Sequence, residues 1–201
     1  MKFQTGLSGH HGSLILDRLF ETFKEGLTPE QFRTKVDALN EKKDNFVRAG
    51  LLYQQALKCK DCEPNVSMML LCSCADSMKL VGRKKSRENF KKFYKEYSPI
   101  ASSNPPIKYY LDANPSSYSD ASFEEALDYI YVRFRSLYTH EGRGLLELPK
   151  GDSLIGYELM DKLEETSDKC YVIDILKILN WFATMTKDSL RNILSHQKRT
   201  T

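Results

Sequence analysis

Along most of the chain apolar residues recur every three or four positions, the spacing of one helical face, and strand-like alternation is nearly absent. Leu14 to Lys24 predicts a short helix ended by Gly26. Thr28-Pro29-Glu30-Gln31 places a capping residue, a proline at the first helical position and a Gln three after the cap, so it opens another helix. Phe32, Val36, Leu39, Phe46, Val47, Leu51 and Leu57 carry that pattern as far as Cys59, with Gly50 its weakest point and Pro64 barring continuation. Asn65 as cap then predicts a third main helix, Val66 to about Val81, that is apolar on nearly every side and hence central.

Beyond Gly82, Phe90, Phe93, Tyr94 and Tyr97 form an aromatic stripe with lysines opposite, the pattern of a helix facing the core. Ser98 to Asp120 is rich in Pro, Ser and Asn and reads as a long irregular connection, with a turn of helix at Ile107 to Leu111. Ser122 and Glu125 make a second capping box ahead of the seam Phe123, Leu127, Ile130, Phe134, Leu137. Gly142 and Gly144 end that helix, Leu145 to Leu154 reads as an extended excursion or small hairpin, and a further helix is expected within Ile155 to Glu165. A last helix, about Asp168 to Gln197, would bury Tyr171, Ile175, Ile178, Phe182 and Met185 on one face. The expected fold is all-α: a single domain over residues 1–201, a bundle of about five to seven helices, with a long loop near 98–120 and a small hairpin near 144–154. Residues 14–60 fit either an appendage or part of the bundle.

Composition agrees with a folded domain. Of 201 residues, 41% are hydrophobic and 28% charged, which excludes disorder, and 10 Gly and 7 Pro exclude collagen-like classes. No run approaches the ~18 to 20 apolar residues of a membrane span, and the first twenty residues lack a secretory pattern, so no membrane partner and a cytoplasmic location are expected. The net charge of +3, from 30 basic and 27 acidic side chains, leaves the partner open. Five cysteines in such a chain are expected as reduced thiols. Cys59 and Cys62 form a C-x-x-C, but Cys72 and Cys74 are two apart on a predicted helix, pointing about 200° from each other, so no metal site is expected and the second pair reads as core. Nothing in the sequence calls for a cofactor, and no G-x-x-x-x-G-K-[ST] phosphate loop occurs.

Of four histidines, His10, His11 and His196 lie toward the termini, where solvation is the default. His140 stands at the end of the strongest amphipathic helix, in Tyr131-Val132-Arg133-Phe134-Arg135-Ser136-Leu137-Tyr138-Thr139-His140. This string resembles the HEPN superfamily (higher eukaryotes and prokaryotes nucleotide-binding domain), helical bundles marked by an Arg, four to six residues, and a His at a helix end. The match is Arg135-x4-His140, with Arg133-x6-His140 as a second register. The string LLCSCADSMKLVG followed by KKSRENFKKFYKEY is similar to the family's earlier helices, with Asp76 where the family often has an acid, so the resemblance covers about residues 65–144. Ser136 departs from the Asn, Asp or His that often follows the motif Arg in ribonuclease branches.

The resemblance implies catalysis of metal-independent RNA cleavage by Arg135, His140 and Asp76, with Arg133 in reserve, in a homodimer that brings two motifs together. It also raises a role in a toxin or defence system, with an antitoxin-like protein partner. The residue types suit that chemistry: histidine transfers protons near neutrality, and arginine presents a charged planar fork to phosphate. On a straight α-helix Arg133 lies within about 20° of His140 and Arg135 about 140° away, although unwinding near Gly142 would free His140 toward Arg135. Lys79, Arg83, Lys84, Lys85, Arg87, Lys91 and Lys92, with Arg143, could follow an RNA backbone or form a solvated face. The competing readings are a non-catalytic binding or scaffold module of the same fold, and a nucleotide-binding regulator.

Overall fold

A computed structural model describes residues 10–78, 86–99, 104–111, 114–137, 158–162 and 168–196. Helix α1 (His10–Phe23) is followed by Gly26, whose φ of 72° turns the chain where an L side chain would be strained. Helix α2 (Pro29–Asp37) starts at the predicted capping box, the Thr28 side chain accepting from the Gln31 N–H while Gln31 accepts from the Thr28 N–H. The pattern expected to run unbroken to Cys59 is interrupted before Gly50. Asn40 takes a φ of 49°, a turn of 3₁₀ helix covers Asn40–Lys42, and helix α3 (Lys43–Cys59) begins afresh. Gly50 sits undisturbed inside α3 because α1 lies against it: an added Cβ would come within 2.7 Å of Leu19 Cδ2.

Pro64 both ends and begins. It occupies the first turn of helix α4 (Pro64–Ser77), where a missing N–H costs nothing, so the helix starts a residue before the predicted Asn65 cap. Met68, Leu71, Cys72, Cys74 and Ala75 of α4 are buried, and the helix packs against α3, α5 (Ser86–Tyr97) and the C-terminal helix α7 (Ile175–His196), making it the centre of the bundle as its apolar composition predicts. Phe90, Phe93 and Tyr94 of α5 are fully buried; the Tyr94 hydroxyl shares a 2.9 Å hydrogen bond with Thr186 of α7.

The all-α expectation is corrected by a four-stranded antiparallel sheet in the order β2-β1-β4-β3. Strand β1 (Ile107–Leu111), read above as a helical turn, and β2 (Asn114–Asp120) lie within the supposed loop. Strand β3 (Glu158–Lys162) lies where a helix was expected, and β4 (Lys169–Asp174) replaces the predicted start of the last helix. The reason is non-local: β1 pairs with β4 in the register Ile107↔Ile173, Tyr109↔Tyr171, across some sixty residues that no local period spans. Tyr171 is buried on this sheet, its ring 4.6 Å from Tyr129, rather than on a helical face. Asp174 then caps α7, its Oδ1 accepting from the Leu176 and Lys177 N–H groups.

Helix α6 (Phe123–Ile130) opens at the Ser122–Glu125 capping box and continues as a π-helical segment, Tyr131–Leu137. One core joins α1, α2 and α3 to α4, α6 and α7, so residues 14–60 belong to the bundle. Among the described residues no helix is long and apolar enough to cross a membrane. The hairpin expected near 144–154 lies outside the described residues.

Candidate functional site

Arg135 projects from the π-helical segment onto the last turn of α4, where its Nε donates to Asp76 Oδ2 at 2.7 Å. The two side chains are 28% and 17% exposed, so the pair sits at the rim of the core, partly screened from water. Burial pushes the Asp76 carboxyl above its ordinary 3.8, and the hydrogen bond and charge of Arg135 only partly oppose that. For Arg135, burial works against the charge, but the hydrogen bond and charge of Asp76 outweigh it and raise its pKa. Asp76 Oδ1 is buried without a hydrogen-bond partner, which adds to the cost of keeping this carboxylate ionised. The Cys72 thiol, one turn earlier on α4, is pushed well up by burial and by the neighbouring Asp76 charge, so it is an inert core group.

Of the two candidate arginines, the acid of the earlier helix is bonded to Arg135 and not to Arg133, which lies half-buried two residues upstream. The choice between them by α-helical angles does not apply, because Tyr131–Leu137 is wound with i→i+5 hydrogen bonds, a wider coil than those angles assume. His140, Arg143, Lys84 and Lys85 lie outside the described residues, as do Lys79 and Arg83.

The described part of the basic group is held by carboxylates. Arg87 Nε lies 3.0 Å from Asp128 Oδ1 and Lys91 Nζ 2.9 Å from Oδ2 of the same residue. Lys92 pairs with Glu96 at 3.5 Å, and Lys95 pairs with Glu124. Sequence reasoning missed this seam, although its signal was available: Glu124 and Asp128 are four apart on α6, facing the Arg87, Lys91 and Lys95 stripe of α5. A second missed cluster joins helix and sheet, with Lys169 of β4 paired to Glu125 and standing 4.1 Å over the Tyr109 ring.

Cys72, Cys74 and Cys170 are buried, while Cys59 is half-buried and Cys62 exposed. Among the described residues no group of three or more His, Cys, Asp or Glu gathers to hold a metal ion. No protein-family model, no curated protein and no solved structure matches the chain.

Proposed function

We propose that the chain is a HEPN-type, metal-independent RNA endonuclease acting as a homodimer, a toxin or defence component. The observation that carries this reading is the Asp76–Arg135 ion pair: residues singled out in two separate helices by the resemblance lie 2.7 Å apart. In the proposed mechanism His140 takes the proton of the RNA 2′-hydroxyl as that oxygen attacks phosphorus. Arg135, oriented through its Nε by Asp76, balances the charge that grows on the phosphorane oxygens. His140 of the partner subunit protonates the departing 5′ oxygen, leaving a 2′,3′-cyclic phosphate and a 5′-hydroxyl.

The test is incubation of purified protein with RNAs of varied sequence in EDTA. Cleavage to cyclic-phosphate ends is expected, with loss of at least about a hundredfold in rate for His140→Ala at unchanged circular dichroism. Intact RNA throughout, or equal cleavage by His140→Ala, overturns the reading. The pairing of both Arg87 and Lys91 to Asp128 favours a second reading, a protein-binding scaffold, since those cations are already matched. A scaffold keeps its partner affinity when His140 is replaced; loss of all partner binding with that substitution removes this alternative.

A further inference from the structure

The C-x-x-C at the junction of α3 and α4 has no part in the function proposed above, and its geometry supports chemistry of its own. Cys59 is the last residue of α3, and the Cys62 N–H donates to the Cys59 carbonyl oxygen at 3.3 Å, closing a four-residue turn. A turn so closed holds its end Cα atoms within about 7 Å, and a disulfide requires about 4.4 to 6.8 Å. The Cys62 Sγ lies 3.7 Å from the same carbonyl oxygen, on the inner side of the turn. Cys59 Sγ is 3.7 Å from Gln55 Nε2, a weak contact that one rotation about the Cys59 Cα–Cβ bond releases. Cysteine is among the residue types most often buried, and Cys72, Cys74 and Cys170 follow that habit; an accessible pair at turn-closing separation does not. With no third or fourth metal ligand gathered beside them among the described residues, the two sulfurs are left to react with each other.

We infer that Cys59 and Cys62 are a thiol–disulfide site, oxidised reversibly by low-molecular-weight disulfides such as glutathione disulfide. Cys62, the more exposed, attacks as thiolate on one sulfur of the oxidant, forming a mixed disulfide and releasing the first glutathione thiolate. The Cys59 thiolate then attacks the Cys62 sulfur, closing the intramolecular bond and expelling the second. Two electrons pass from the protein to the oxidant, and the protons lost by the two thiols are taken up by the released glutathione. The bond staples the end of α3 to the approach of α4, the helix that carries Asp76, without crossing the core. This inference stands or falls separately from the nuclease reading.

The test equilibrates the full chain with graded ratios of oxidised to reduced glutathione, followed by alkylation, proteolysis and mass spectrometry. Cleavage after Lys60 parts the two cysteines unless they are bonded, so the expected result is a linked pair of peptides that appears as both thiols vanish together. Cys72 and Cys74 should stay reduced and alkylate only after denaturation. Cys59→Ser should stop at a glutathione adduct on Cys62, with the circular dichroism of the wild type. The inference is overturned if the two cysteines each end as separate glutathione adducts, if the bond joins two chains instead of one, or if both thiols persist in a fully oxidised glutathione pool. It is equally overturned if the chain in denaturant forms the bond at the same glutathione ratio, since then the folded turn contributes nothing.

Discussion

Arg135→Met removes the cation beside Asp76 while leaving a side chain of similar reach, and the two halves of this pair should respond unequally. Asp76 is short and 17% exposed, so it cannot carry its charge to water once Arg135 is gone. Breaking a fully buried pair from one side costs about 3 to 5 kcal/mol and an exposed pair under about 1 kcal/mol. With 28% and 17% exposure this pair falls between, at about 2 kcal/mol, or a drop in Tm of roughly 4 to 8 °C for a chain of this size. Asp76→Asn should cost under about 1 kcal/mol, because Arg135 is long enough to move its charge toward solvent and because burial already disfavours the Asp76 carboxylate. The double variant should be more stable than Arg135→Met alone. The sign with pH follows from the raised folded pKa of Asp76: its linked stability is fully present below the unfolded value of 3.8 and is lost as pH rises through the folded value. Removing Arg135 lifts that folded value further, so the deficit of Arg135→Met should shrink on acidification toward pH 4. Urea denaturation of the wild type, both single variants and the double variant, at several pH values, measures all of this. A deficit that stays constant with pH, or a double variant as weak as Arg135→Met, would refute the assignment of Asp76 and Arg135 as a coupled pair.

Two further outcomes follow from the core and the sheet. Phe182 is fully buried with its ring 5.3 Å from that of Tyr94 and 6.1 Å from that of Phe90, so Phe182→Ala should lower the free energy of unfolding by about 3 to 5 kcal/mol in urea titration. For Glu125, burial works to raise the pKa, but the Lys169 ammonium and the Ser122 N–H and hydroxyl together lower it below its ordinary 4.5. Its stabilisation is therefore present above the unfolded value and lost as pH falls through the folded one. Glu125→Gln should be less stable than wild type at neutral pH in thermal scans, with the gap closing below about pH 4.5.

The helices were legible because their signals are local. Thr28 with Gln31 and Ser122 with Glu125 each need four consecutive residues to announce a start, and both boxes form as written. The aromatic stripe of α5 and the apolar girth of α4 likewise translate directly into burial. The sheet was not legible, since Ile107-Lys-Tyr-Tyr-Leu111 has its partner in Lys169–Asp174, and the pairing that decides between strand and helical turn is absent from the segment itself. The break at Asn40 was hidden by a hydrophobic spacing that persists across it, and Asn in a left-handed conformation was the one available clue. At the site, the resemblance pointed to Asp76 and Arg135 from separate stretches of sequence, while the π winding of the segment that carries Arg135 is invisible to a period of about 3.6 residues per turn.

That winding has a consequence for the guanidinium it carries. An α-helix turns about 100° per residue, whereas the wider coil of Tyr131–Leu137 turns less, and from that segment Arg135 reaches Asp76 at 2.7 Å. Val132 and Phe134 of the same segment are buried in the core, which anchors the stretch that presents this side chain. Loosening of the bundle's interior would therefore shift the segment that presents the arginine, and its hold on Asp76 with it.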